Sequence, residues 1–536
     1  MPPVGQPVDA ELLKARIREL CDPATPWTRA LWGVGSIVAL KEVAESVNAT
    51  WDRVLTNEGA MNDFKRGSRS QIVRDPGLGD QSRRDRIANL IGDLKPTPSN
   101  EGRSSLGRLE QMIVRGAQDY LGNWSMALER GDVDASELEF AARAITSHLL
   151  DQGHHQKHVL GWLDSRLDSL STSSLVRESK SLGASREWTF LLAVTRIESG
   201  TRAAIDPAIT ITSAAFHDAL ARVENPAEHR LESQSVALGL RVTVSALDPF
   251  SALDAAWERA KRLASRASLG VGASAIDYAG VAIEVSPTKT KAWAIGDNRA
   301  VTVPSLRYLK LAKSFDSPLG VQIEDSLSML SPHLQSTTGV SIAALWAAVE
   351  GLVGRVDSNG HSAADRAADI ATCSFPRSES HLLMQSWQRS GSGELQSQLL
   401  TGAKPYVRMR ILLNHLSTEG DPGYGDATDR AAVTRIQRLE ADPYEEMKRV
   451  RNYMRASFRR LYYQRNFVMH AAKFDSVSIA ATSRVSPLLV AAAIDQMVNG
   501  LFAKVASQPL ELAARADNEL DLLQHGGRRD ILALLA

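Results

Sequence analysis

The chain has 536 residues, 43% hydrophobic and 23% charged, with 62 basic and 62 acidic side chains. That length exceeds one ordinary core and implies two to four domains, while the charge balance excludes a general polyanion binder, so any nucleic-acid surface is local. Two distant cysteines, Cys21 and Cys373, exclude a disulfide framework and fit a reducing cytoplasm.

The opening MPPVGQPVDAELLKARIREL lacks the apolar centre of a signal peptide. No later apolar stretch reaches the roughly twenty clean residues of a membrane span, since Glu350 and Asp495 interrupt the best two. No membrane contact is expected. Residues 1–185 read as a helical region. Trp32, Ile37, Leu40 and Val43 recur at helical spacing, and so do Leu106, Leu109, Ile113 and Tyr120. Between them KPTPSNEGRSS, residues 95–105, is rich in turn formers and reads as a linker.

Residues 186–330 change character. WTFLLAVTRI and SVALGLRVTVSALD are strand-like. Asp248-Pro249 then starts a helical run, PFSALDAAWERAKRLASRAS, and GVAIEVS and KAWAIG follow as short strands. Strand–helix–strand order predicts a small α+β unit of ferredoxin-like type. Gly270-Val271-Gly272-Ala273-Ser274-Ala275 matches a dinucleotide fingerprint in letters only. It follows a helix, whereas the fingerprint needs a strand before it, so it reads as a connection.

Residues 340–505 predict a helical domain, followed by a helical tail over 506–536. Ile342, Leu345, Trp346, Val349, Leu352 and Val353 make one apolar face, with Glu350 at its edge. GDPGYGDATD reads as a loop, and Ser486-Pro487 reads as the start of the last long helix, Ser as N-cap and Pro as first residue. No internal repeat is apparent. The fold class is therefore mainly α, with a small α+β unit in the middle.

Within this domain a basic helix runs from Lys448, its core stripe being Met447, Val450, Met454, Phe458 and Leu461. The next stripe position is Arg465, and a guanidinium in core register needs an anionic or hydrogen-bonding partner. A phosphodiester is one such partner. His470 follows five residues on and can move a proton near neutral pH. Six Arg/His pairs of similar spacing occur in the chain, but only Arg465 is followed at once by a polar residue, Asn466, at the end of a basic helix bearing paired tyrosines. Lys448, Arg451, Arg455 and Arg459 share one helical face, suited to steering an RNA backbone toward the pair. Tyr462 and Tyr463 could stack exposed bases, with packing the favoured role for Tyr462, one step off the core stripe. Positions five apart diverge by about 140° on an ideal helix, which suggests a dimer cleft or a helix end at His470.

The string RLYYQRNFVMH resembles the Arg-Asn-x-x-x-His motif of the HEPN superfamily, and VSIAALWAAVEGLVGR resembles the first long helix of such domains, with Trp346 followed four residues later by Glu350. The similarity covers about residues 340–505 and is nearest the Apea-like bacterial subgroup. The resemblance implies metal-independent RNA cleavage leaving 2′,3′-cyclic phosphate ends, in a toxin or antiviral effector, with RNA as substrate and no cofactor or metal. It implies Arg465, Asn466 and His470 as the catalytic set, with Glu350 as possible support. It also implies a homodimer through the helical domain and an antitoxin or sensor partner. Some members have lost catalysis, so the alternative is a non-catalytic RNA- or protein-binding scaffold.

Four histidines crowd residues 148–158. His154 and His158 stand one turn apart, a spacing that can bind zinc, but no Glu or Cys completes a known pattern and a polar helix surface is the simpler reading. No phosphate loop, CxxC pair or GxSxG elbow occurs, so nucleotide hydrolysis and serine-hydrolase chemistry have no support.

Overall fold

The computed structural model describes residues 8–54, 58–223, 235–272, 274–285, 290–295, 301–307, 319–331, 337–355, 360–401, 404–503, 508–525 and 530–535. It is 71% helix and 8% strand, as the sequence predicts.

Asp9 opens the first helix, its carboxylate accepting the amides of Glu11 and Leu12. Eight helices make up this group: α1 (Ala10–Cys21), α2 (Ser36–Trp51), α3 (Gly59–Ile72), α4 (Gln81–Asp93), α5 (Asn100–Arg130), α6 (Leu138–Asp151), α7 (Gln156–Asp164) and α8 (Thr172–Glu178). The predicted stripe Leu106, Leu109, Ile113 and Tyr120 is buried with Leu13, Ile17, Leu40 and Val43 in one core. The expected linker at 95–105 is instead a short turn. Ser99 caps α5 at Gly102, and α4 and α5 share that core.

The middle unit comprises β1 (Arg186–Ile197), α9 (Ser199–Ala204), β2 (Thr210–Thr212), α10 (Ser213–Leu220), β3 (Leu238–Ala246), α11 (Pro249–Val271), β4 (Ile276–Glu284) and β5 (Lys291–Ala294). The sheet is antiparallel in the order β2-β3-β1-β4-β5, with Phe190 of β1 opposite both Val242 and Glu284. Its central strand explains the nearly unbroken apolar run of β1. Phe190, Leu192 and Val194 pack with Ala252, Ala256 and Ala260 of α11, and Leu191 and Ala193 with Phe216 and Leu220 of α10. The element string βαβαβαββ departs from the βαββαβ of a ferredoxin-like unit. Helix α11 runs through Val271 and ends at Gly272 in the left-handed region, so the glycine fingerprint follows a helix as expected.

The third group is α12 (Val321–Leu330), α13 (Thr338–Val353), α14 (Gly360–Ser390), α15 (Gly393–Thr401), α16 (Pro405–Thr418), α17 (Ala427–Ala441), α18 (Pro443–Ala471), α19 (Ile479–Phe502) and α20 (Pro509–Leu522). Helices α13, α18 and α19 pack on one another, with the predicted face of α13 buried. This core also takes Ile323 and Leu330 of α12 and the tail residues Leu512, Leu520, Ile531 and Leu535. The expected boundaries at 330 and 505 therefore do not divide the packing. Helix α19 also begins earlier than expected, at Ile479, with Pro487 inside it. Among the described residues α19 is the one helix long and apolar enough to cross a membrane, and 72% of its most apolar window is buried inside the protein.

The two helical cores exchange residues. Trp32 from the N-terminal group enters the C-terminal core, while Tyr463 and Phe467 of α18 enter the N-terminal one. A buried ionic cluster lies along the same seam. Arg16 pairs with Glu19 at 2.6 Å and Glu139 at 2.8 Å, and Arg29 with Glu379 and Asp429 at 3.0 Å each. Arg435 meets Glu379 at 2.8 Å. Charges out of water are tolerable only with such partners. Burial works to raise the Glu379 carboxyl, but Arg29 and Arg435 outweigh it and hold the group at about 2.

Candidate functional site at the end of helix α18

Helix α18 is well started. Asp442 caps it at Glu445, Pro443 is its first residue, and Glu445 and Glu446 lie in the first turn, where carboxylates suit the helix dipole. Its stripe Met447, Val450, Met454, Phe458 and Leu461 is buried in the C-terminal core as read from the sequence.

The basic face is not the open phosphate track that the sequence suggests. Arg451 bonds Asp369 of α14 at 2.8 Å, Asp521 at 3.0 Å and also Asp517. Arg455 bonds Asp369 at 2.8 Å. Arg459 bonds Asp365 at 2.7 Å and Asp63 of α3 at 3.1 Å. The bond to Asp365 leads in holding the Arg459 guanidinium above its ordinary value. Lys448, which is exposed, pairs with Glu445 at 3.1 Å. Arg449 pairs with Glu446 at 3.1 Å, and Arg460 with Glu42 of α2 at 2.6 Å. Arg451, Arg455, Arg459 and Arg460 thus serve as interhelical ties, because carboxylates from other helices satisfy them, while Lys448 and Arg449 pair within α18.

Tyr463 is likewise corrected. It is 2% exposed, inside the N-terminal core, and cannot stack a base. Its hydroxyl donates to Asp63 at 2.7 Å and meets His361 Nε2 at 3.0 Å. Burial, then Asp63, pushes that hydroxyl well up, and burial pushes His361 down. Tyr462 packs on Trp346 with ring centroids 5.0 Å apart.

The last turn differs. Arg465 is half-buried, and Nη1 donates to Asn466 Oδ1 at 3.0 Å and to His470 Nε2 at 3.2 Å. Among the described residues no carboxylate pairs with Arg465. The three motif residues thus meet within one chain, despite the 140° separation of their positions. Side chains lean toward the helix N-terminus, so His470, at the exposed end, folds back over the turn before it. A guanidinium only donates, so Nε2 carries the lone pair in this bond and the ring proton sits on Nδ1. The arrangement sets a cation with no carboxylate partner among the described residues beside a proton acceptor.

Glu350 is not brought to this group. Gly339 lies beside Val468 and Trp346 beside Tyr462, so α13 runs antiparallel to α18. At 1.5 Å per residue, exposed Glu350 lies roughly 10 Å along the axis from Arg465. The flank of α18 at Arg460, Tyr463 and Phe467 is covered by the N-terminal helices. A second copy would have to approach the helix end.

The crowded histidines hold the fold together. His148 is buried and stacked on Tyr120 at 4.2 Å. His155 caps Lys157, and His158 meets the Leu182 carbonyl. Among the described residues no three His, Cys, Asp or Glu side chains are grouped to hold a metal. Sequence reasoning missed the carboxylates Glu42, Asp63, Asp365 and Asp369, and nothing local marks them. It also missed Phe474, which follows the motif by four residues and is 55% exposed. No protein-family model, curated protein or solved structure matches this chain.

Proposed function

We propose that the chain is a metal-independent RNA endonuclease of HEPN type, working in the cytoplasm as a toxin or defence effector. The observation that supports this reading is the Arg465–Asn466–His470 group, hydrogen-bonded and open at the helix end, with its cation free of carboxylates among the described residues. His470 Nε2 would take the proton of a ribose 2′-hydroxyl as that oxygen attacks the adjacent phosphorus. The 2′-O–P bond forms and the P–O5′ bond breaks, and solvent protonates the departing 5′-oxygen. Products are a 2′,3′-cyclic phosphate and a 5′-hydroxyl. Arg465 would shift its Nη1 hydrogen bond from His470 to a phosphate oxygen, freeing Nε2 for the proton and offsetting the charge that grows on the phosphate. Asn466, accepting from Arg465, would fix the guanidinium and leave its own amide free to donate.

The test is direct. Purified protein should cut cellular RNA in excess chelator and leave cyclic phosphate ends, and His470→Ala should not cut. Ends bearing a 3′-hydroxyl, or cleavage undiminished in His470→Ala, would overturn the assignment. A second reading, a scaffold that binds RNA or protein without cutting it, draws support from the ion-paired basic face, which leaves no continuous phosphate track along α18. Under either reading a homodimer would form around the His470 end, and an antitoxin or sensor partner remains part of the proposal.

A further inference from the structure

Beyond His470, α18 stops in an uncommon way. Ala472 takes a left-handed conformation, φ 49°, and the Lys473 amide returns to the Phe467 carbonyl at 3.0 Å. An alanine there is disfavoured relative to glycine. The reversal sends the chain back along the helix, and two contacts pin it. Glu45 of α2 pairs with Lys473 at 2.5 Å and accepts from Ser476 at 2.7 Å. On the other side the Phe474 ring lies against Gly339 in the first turn of α13, where a Cβ would run into Cδ1 and come within 2.6 Å of Cε1. Phe474 is therefore a held ring with more than half its surface in solvent. Val340 and Met469, 56% and 58% exposed, stand at the same end of α18. Packing at Gly339 holds this aromatic without burying it, and Gly339 also borders Val468, three positions along α18 from Arg465.

We infer that Phe474 is the platform on which an unpaired nucleobase flanking the bound phosphate stacks. This rests on the reading of Arg465 and His470 as a phosphodiester site. A base in a duplex has both faces covered and cannot reach such a ring, whereas an unpaired one offers a face to any exposed aromatic. The apolar surface of Val340 and Met469 gives the base a second contact, and Arg465 supplies the charge that the adjacent phosphate requires. Tyr463 cannot serve, being buried.

The experiment uses the full chain and a 2′-O-methyl RNA 12-mer, whose blocked hydroxyls make it uncleavable, carrying 2-aminopurine at one position. Phe474→Leu should weaken single-strand binding by about 5- to 150-fold, the effect of losing one stacked base. Phe474→Trp should bind like wild type and quench the 2-aminopurine. Gly339→Ala, which displaces the ring, should behave like Phe474→Leu, and duplex binding should be equal in all four proteins. Melting temperatures of the variants control for folding. Wild-type affinity in Phe474→Leu, or a wild-type preference for duplex, overturns the platform. Cleavage of unmodified RNA is scored separately. Phe474-dependent binding without cleavage leaves the platform standing and removes the nuclease reading. His470-dependent cleavage with Phe474→Leu binding normally removes the platform alone.

Discussion

Two stretches of α18 carry the same kind of side chain and meet opposite surroundings. From Arg451 to Arg460 each guanidinium is tied to carboxylates of α2, α3, α14 or α20. In the last turn Arg465 has only Asn466 and His470. The first stretch teaches that a basic helical face is not a nucleic-acid surface when the fold supplies its own anions. Its charge is spent internally, and an incoming phosphate would have to displace bonds already made. The second is the place on this helix where an anion would meet a cation without that competition.

The sharpest break in the comparison comes from the chemistry. His470→Ala and Arg465→Ala should each reduce cleavage by about 10²–10⁴-fold, the range for losing a proton-transfer or charge-stabilising group, with unfolding free energy changed by less than about 1 kcal/mol. Gel assays and urea melts read the two effects separately. Arg460→Ala should do the reverse. It strands Glu42, 2% exposed, and should cost about 3–5 kcal/mol. Equal destabilisation of Arg460→Ala and Arg465→Ala would erase the distinction between the stretches.

Acid probes the wall on which the tied stretch rests. Burial first, then Lys41, holds His148 at about 3. An unfolded histidine titrates near 6.5. Below that pH the unfolded chain binds a proton that the folded one refuses, so stability is full above pH 6.5 and drains as pH falls toward 3. From pH 7 to pH 5 this one group should cost about 2 kcal/mol, and His148→Phe should flatten the loss by that amount in parallel urea titrations. A slope unchanged in the variant would remove His148 from the account. The smallest effect concerns the turn itself. Ala472→Gly should stabilise the protein by about 0.5–1 kcal/mol by relieving the left-handed alanine, and calorimetry that finds destabilisation would contradict it.

What the sequence made legible about α18 was what lies within a few residues. Its start and its core stripe are local matters of spacing and caps, whereas the divergence of about 140° between Arg465 and His470 on a helix left their meeting within one chain open. The partners of Arg451, Arg459 and Arg460 were not legible, because Asp369, Asp63 and Glu42 lie roughly 80 to 420 positions away and reach α18 only through the tertiary fold. Tyr463 was misread for the same cause. Two residues past Leu461, it points to nearly the opposite side of the helix from the stripe, and only the N-terminal helices decide that this flank is interior. Ser486-Pro487 misled as a helix start, since Pro487 lies inside α19, where it removes one backbone hydrogen bond without ending the helix. In the sheet, β1 gave a plain apolar run, yet its central place followed from pairing that no single strand encodes.

The exchange of Trp32 for Tyr463 and Phe467 across the seam has a practical consequence. Neither helical group can be excised whole: a fragment beginning after residue 185 would present two bare aromatic side chains and the unmatched cation Arg460, and would aggregate. A backbone nick at 183–185, between the first helices and the sheet, should by contrast leave both pieces associated through gel filtration. Amide exchange along α2 and α18 should then slow and quicken together, as though the two helices belonged to one cooperative element.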